Sequence, residues 1–312
     1  MLSRVADSFY WMSRYLERAE HSARVLEVHQ SLTLDDPTDL VGRSLLVAVG
    51  AVPAATSDAT SEAVGRIAAA HLATVASAVV SARENARQIR EQISSEMWEQ
   101  LNLMYLAIRD ADGPEAPEAA VLMRRTIAGA HRFYGVTEAT LSHGEGWHHM
   151  QLGRYLERAS STASLLELYF DEPPEEEGRP ASIHAYVERV GLLRACAAFE
   201  AYCRCYTADI RPERLAEFLL LNAEFPQSVR FAADRLEDSL RAIARSLGRQ
   251  QTGRPERFAG RLRAALNFGT IDEIMADNVV RYLASIRKQC GQIHTALYQT
   301  YISYPIETAI AR

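Results

Sequence analysis

Apolar residues recur at alternating spacings of four and three from Val5 through Phe9, Met12, Leu16, Ala19 and Ala23 to Leu26, and no glycine or proline falls between Leu2 and Gln30. That spacing marks one face of a long α-helix. A second stripe of the same form runs through His149, Leu152, Leu156, Ala159, Ala163, Leu166 and Phe170. Similar patterns predict helices over Val75–Ile93, Ser95–Arg109, Glu118–Thr140, Ser182–Thr207, Pro212–Asn222, Pro226–Leu247, Pro255–Leu266 and Thr270–Tyr304. Several open on proline, which a helix tolerates in its first turn because the missing N–H has no partner there. No window alternates with period two between turn residues, so no strand is predicted. The predicted fold class is all-α, a multi-helix bundle.

The two long stripes share more than spacing. Arg14–Ala19 and Arg154–Ala159 both read Arg-Tyr-Leu-Glu-Arg-Ala, 140 positions apart. Such an identity predicts internal duplication. Fainter matches follow at an offset of 147, where Leu45–Ala48 aligns with Leu192–Ala195 and Ser81-Ala82-Arg83 with Ser228-Val229-Arg230. The added length falls at the acidic connector Asp171–Gly178. The chain is therefore expected to be a single domain over 1–312, built from pseudo-repeats of about 1–140 and 141–312. On a helical wheel Arg14, Glu17 and His21 lie opposite the Leu16 stripe, and Arg154 and Glu157 lie likewise around Leu156. A solvated charged face is the ordinary reading of such pairs, worth a few tenths of a kcal/mol. A solvated face, however, has no reason to keep the same order of charges in both halves. The alternative is that the two helices meet near a pseudo-axis, with Glu17 and Glu157 facing a shared cleft, which requires both carboxylates to be largely buried.

Composition narrows the classes. At 312 residues and 48% hydrophobic the chain can bury a substantial core. It has no apolar run of transmembrane length, and Met1–Asp7 lacks the basic and apolar regions of a secretory signal. Four cysteines, Cys196, Cys203, Cys205 and Cys290, are too few and too unevenly placed for a disulfide framework. These features lead to an expected cytoplasmic location with reduced thiols. A net charge of −6 argues against a nucleic-acid coat. Of 34 basic residues only Lys288 is lysine, a bias that weakens any argument from arginine identity alone.

Candidate chemistry is sparse. Arg83, Arg87 and Arg90 share a helix face beside Glu84, Gln88 and Glu91. This is either an exposed charge ladder or a polar seam between helices, where arginine forks could grip carboxylates. Glu200 follows an apolar run and is expected to be half-exposed. Glu145-Gly-Trp-His148 has the Glu-x-x-His spacing of helical di-metal sites, but a second copy is lacking. Cys203-Arg-Cys205 lacks zinc spacing and a completing pair, so no metal is expected. No phosphate loop, nucleophile elbow or dinucleotide fingerprint occurs, and no cofactor is assigned.

The segment Leu2–Glu20, with Ala82-Arg-Glu-Asn-Ala-Arg87, Ser94-Ser-Glu-Met-Trp-Glu99, Leu152-Gly-Arg-Tyr-Leu-Glu-Arg-Ala159, Ala198-Phe-Glu-Ala-Tyr202 and Phe225-Pro-Gln-Ser-Val-Arg-Phe231, resembles the bacterial alpha-E family along nearly the whole chain. Gln227 departs from the basic residue expected there. The resemblance implies an all-helical protein encoded beside, or fused to, circularly permuted ATP-grasp proteins, often near a transglutaminase-like peptidase. It thus implies an accessory role in amide- or peptide-bond formation, with an ATP-grasp ligase and a peptide or amino-acid substrate as partners, and neither nucleic acid nor membrane. On that footing Arg14, Arg83, Arg87, Arg154 and Arg230 are candidate carboxylate-binding residues. Glu17, Glu84, Glu157 and Glu200 are candidates to orient substrate or, if the chain is itself an enzyme, to act as general base. Whether it is an enzyme is left open, and a purely structural scaffold is the third alternative.

Overall fold

The computed structural model describes residues 1–35, 61–110, 119–171, 183–207, 209–249 and 252–302. Among these are twelve α-helices and no strand: α1 Ser3–Asp35, α2 Ser61–Gln88, α3 Ser95–Arg109, α4 Ala119–Thr140, α5 Glu145–Asp171, α6 Ile183–Ala195, α7 Phe199–Tyr206, α8 Pro212–Leu221, α9 Val229–Ser246, α10 Arg254–Phe268, α11 Ile271–Asp277 and α12 Val279–Leu297. The all-α expectation holds. None of the described helices is long and apolar enough to cross a membrane. Leu45–Ala48 and nearly all of the acidic connector lie outside the described residues.

Two predicted helices are divided. The stretch expected over Ser182–Thr207 ends at Ala195 and restarts at Phe199, and Ala197 between them adopts a positive φ of 50°. A left-handed residue cannot continue a right-handed helix. The stretch expected over Thr270–Tyr304 breaks at Asn278, which is extended and whose side chain accepts from the Arg281 N–H to start α12. Asparagine favours such caps because its side-chain oxygen replaces a missing helical acceptor. Ser94 and Ser228 act in the same way, accepting from Met97 N–H and Phe231 N–H at the starts of α3 and α9.

The apolar stripes explain the assembly. Phe9, Met12, Leu16, Ala19, Ala23 and Leu26 of α1 are buried in one core with α2, α3 and α4. Leu152, Leu156, Ala159, Ala163 and Leu166 of α5 are buried in a second core with helices of the C-terminal half. α1 packs on α2 and α4, and α3 bridges those two; α5 packs on α9 and α12, and α10 bridges those two. The two groups meet where α1 packs on α5. Each central helix turns its stripe toward its own group, so the faces opposite the stripes meet one another. The fainter 147-residue alignment does not follow helix ends, since Ser81 lies inside α2 whereas Ser228 caps α9.

The crossing is close because Gly153 has no side chain. A Cβ there would collide with the Tyr10 carbonyl oxygen and Ser13 Oγ, and one at Gly146 would come within 2.7 Å of the Phe9 ring. Ser13 occupies in α1 the position that Gly153 holds in α5, and its hydroxyl donates to the Met150 carbonyl at 2.7 Å. Gly153→Ala should therefore lower the unfolding free energy by roughly 1–3 kcal/mol through forced separation of the helices. Gly135, in α4 with open space around it, should gain about 0.5–1 kcal/mol on replacement by alanine. Urea denaturation of the two variants measures the contrast, and equal effects would refute the close-crossing account.

Candidate functional site

The charged backs of α1 and α5 pair reciprocally. Glu17 of α1 accepts from Arg158 Nε at 2.5 Å and a second Arg158 nitrogen at 3.0 Å, with Arg154 Nε at 3.6 Å. Glu157 of α5 accepts from Arg14 Nε and Arg18 Nε, both at 2.6 Å. Each glutamate of one hexapeptide thus faces both arginines of the other, and three of the four arginines bond directly while Arg154 stands off. Glu17, Glu157 and Arg158 are only 3%, 6% and 3% exposed, so the solvated-face reading fails. Both carboxylates meet the burial condition of the alternative, yet arginine occupies the space between them.

Neighbours extend the network at both ends. Tyr134 of α4 donates its hydroxyl to Glu17 at 3.0 Å. The Arg14 guanidinium donates to Tyr10 Oη at 2.8 Å and stands 3.1 Å from His294 Nδ1, with Tyr10 Oη and His294 Nδ1 2.8 Å apart. Glu20 bonds Arg24 at 2.6 Å and His131 at 3.1 Å. Burial opposes charge on Glu157 and Glu20, but the surrounding cations win. Arg18 and Arg14 hold Glu157 below the usual carboxylate range. His131, Arg158 and Arg24 draw Glu20 down to about 2. His21, enclosed beside Glu20, Arg24 and Arg158, is pushed down to about 4 by burial despite the pull of Glu20 and Glu157.

A carboxylate gripped in this way is a poor general base, since taking a proton would strand buried guanidiniums. The other sequence candidates lie apart from the network. Glu84 bonds Arg83 at 3.1 Å and Arg87 at 2.9 Å along one helix, with Glu84 and Arg87 well exposed. This is the charge ladder; only Arg83 is covered, beneath Trp98 and Tyr105 and bonded to Asn102. Glu200 is exposed rather than half-exposed, because the break at Ala197 turns α7 outward from the preceding apolar run. Arg230 donates to the Leu221 carbonyl, a backbone oxygen and not a carboxylate. Glu145 pairs with the Met1 amino group at 2.9 Å, and among the described residues no cluster of three metal-ligating side chains forms. The thiols of Cys196 and Cys290 are pushed up to about 12 by burial, which leaves them unreactive.

An open cleft of about 690 Å³ lies between α4, α5 and α9. Arg154 reaches it from the network, its guanidinium stacked 3.7 Å over the Tyr134 ring. The other cations in its walls, Arg235, Arg241 and Arg245, project from α9, while Glu138 and Asp238 supply the carboxylates. Tyr155 and Phe231 pack together at 5.9 Å between ring centres on its apolar side. Sequence reasoning reached Arg154 through the repeat but missed Tyr134, Tyr10, His294 and the α9 arginines. No local spacing couples positions so far apart in the chain.

An all-helical protein organised around paired Glu-Arg motifs is what the fold and this network define. The chain belongs to the alpha-E family, described as a predicted alpha-helical domain with a conserved ER motif, whose model matches residues 1–302. Glu17-Arg18 and Glu157-Arg158 are such pairs, and both take part in the reciprocal network. The chain is similar to uncharacterized protein Mb2597 of Mycobacterium bovis and uncharacterized protein MT2643 of Mycobacterium tuberculosis, each 26% identical over 226 residues, which is 68% of this chain and 24% of the relative. Uncharacterized protein Rv2567 of Mycobacterium tuberculosis is 25% identical over the same extent. The chain thus spans about a quarter of the length of the curated relatives it matches. No solved structure matches it.

Two outcomes test the network. Glu17→Gln should cost about 3–5 kcal/mol, since it leaves Arg158 buried without its partner, whereas Glu84→Gln should cost no more than about 1 kcal/mol; comparable losses in urea denaturation would contradict the assignment. The second outcome concerns pH. An unfolded histidine titrates near 6.5, with carboxylates near 4. Between about 6.5 and 4 the unfolded chain binds a proton at His21 that the folded chain refuses, so stability falls on acidification. Below about 4.5 the depressed Glu20 and Glu157 add a further loss, because the unfolded state takes up their protons first. His148, His149 and His294 are also depressed by burial, so His21→Gln should flatten the upper window in part and leave the lower one unchanged. A melting temperature constant from pH 7 to 4.5 would refute this.

Proposed function

We propose that this chain is a cytoplasmic accessory component of an ATP-grasp-dependent amide- or peptide-bond-forming system, contributing binding and not bond-making chemistry. The observation that carries the second half is the reciprocal network: Glu17 is bonded by Arg158 and Tyr134, Glu157 by Arg14 and Arg18, and both carboxylates are buried. A carboxylate that is buried and neutralised in this way is poorly placed to take a proton from a substrate. What remains for a ligand is the open cleft, whose walls are rich in arginine and aromatic rings. That composition suits recognition of an anionic substrate. The partner class rests on the family resemblance. The length of the curated relatives beyond the matched quarter agrees with a unit that works beside other domains. The two related hexapeptides, each on the central helix of its own helical group, support an origin by duplication of two halves.

The test is to co-express the chain with an ATP-grasp protein encoded beside it. Expected are co-elution on size exclusion and an ADP-release rate that changes several-fold when this chain is added. Separate elution together with an unchanged rate would overturn the proposal. Glu17→Gln and Glu157→Gln variants that remain folded should keep the effect, and its loss in a folded variant would return those carboxylates to consideration as catalytic groups.

A further inference from the structure

The reciprocal network is not symmetric, and its one departure faces the cleft. Three of its arginines, Arg14, Arg18 and Arg158, bond their glutamate at 2.6, 2.6 and 2.5 Å. Arg154 stands 3.6 Å from Glu17, whose oxygens Arg158 already holds. Its Nε is buried without a hydrogen-bond partner, and its guanidinium, about a quarter exposed, lies over Tyr134 in the cleft wall. A buried unpaired donor of this kind costs free energy unless something satisfies it. Two more buried nitrogens in the same wall, the Trp147 Nε1 donor and His148 Nδ1, are also unpartnered.

The cleft carries a second unmatched cation. Arg241 is neutralised by Glu237 at 2.5 Å, and Arg235 stands 3.9 Å from Asp238. Arg245 makes no ion pair among the described residues. It lies at the far end of α9 from Phe231, near His148, where burial first and then the charges of His143 and Arg245 lower the histidine's affinity for a proton. Phe231, by contrast, packs on Tyr155 beside Arg154. The unmatched cations therefore mark opposite ends of the cleft, roughly 10–20 Å apart at 1.5 Å of helix rise per residue. Tyr155 and Phe231 thus lie at the Arg154 end, and Trp147, packed on His148 at 5.0 Å between ring centres, lies toward the Arg245 end.

We infer that this cleft binds an extended acidic peptide, with one carboxylate on Arg154 and another on Arg245. This deepens the binding role proposed above and rests on it. In an extended chain, residues four apart lie about 13 Å from each other on one face, which suits the separation of the two arginines. The apolar part of the peptide beside the carboxylate on Arg154 would pack on Tyr155 and Phe231, and the peptide N–H groups could donate to Glu138 and Asp238. A single phosphate cannot reach both arginines across that separation, whereas a peptide with two spaced carboxylates can.

The probe is the blocked pentapeptide acetyl-Glu-Ala-Tyr-Ala-Glu-amide, titrated into the full chain while the indole N–H signal of Trp147 is followed by NMR and assigned by its loss in Trp147→Phe. The expected result is a saturable shift that weakens at least about tenfold for the Gln-for-Glu peptide, as loss of a charged hydrogen bond implies, and that weakens further with added salt. Arg245→Gln, at an exposed helix end, should leave the fold intact and weaken binding by a similar factor, and Arg154→Gln should do the same with its folding verified by circular dichroism. No saturable shift, equal affinity for the neutral peptide, or unchanged binding by Arg245→Gln would overturn the inference. So would inorganic phosphate saturating the same signal at least as tightly as the peptide. The titration uses no ligase, so its failure is distinguishable from failure of the ATP-grasp association.

Discussion

The structure depends on the crossing of two long helices that present charged faces to each other. α1 and α5 each give their apolar stripe to a separate core, so neither can turn that stripe toward the other. Their polar backs must therefore meet, in a place that excludes water. Charges brought into such a place are costly unless every one is matched and hydrogen-bonded. Two glutamates set against four arginines, with a tyrosine at either end, meet that condition almost completely. The glycine at position 153 allows the backbones to come close enough for it.

The same constraint decides what the glutamates can do. Repetition of an Arg-Glu-Arg order first suggests a pair of reactive carboxylates, but mutual recognition by the two copies uses the same side chains. These side chains pair across the contact of α1 with α5. Arg154 is the exception, because Glu17 cannot serve Arg158 and Arg154 equally well. The surplus cation falls where α4, α5 and α9 leave an open cleft, so the network and the cleft share one residue.

The family and its relatives set this in scale. The chain corresponds to about a quarter of the proteins it matches among curated relatives. The thiols of Cys196 and Cys290 are buried, and the ladder of Glu84 and Arg87 is exposed beside the covered Arg83.

Much of this was legible in the residues alone. Stripes at helical spacing determined the helices, since which residues favour one face is a local property. The repeated hexapeptide marked the two helices that form the centre. The breaks at Ala197 and Asn278 were not legible, because alanine and asparagine also occur within helices and only packing decides where the chain turns. Nor was the burial of Glu17 and Glu157, since a charged face opposite an apolar stripe usually meets water. The sequence by itself determined which faces are apolar and which are charged. The tertiary structure alone decided that the two charged faces cover one another and that Arg154 is left over, because burial and pairing depend on residues some 140 positions apart that no local pattern connects.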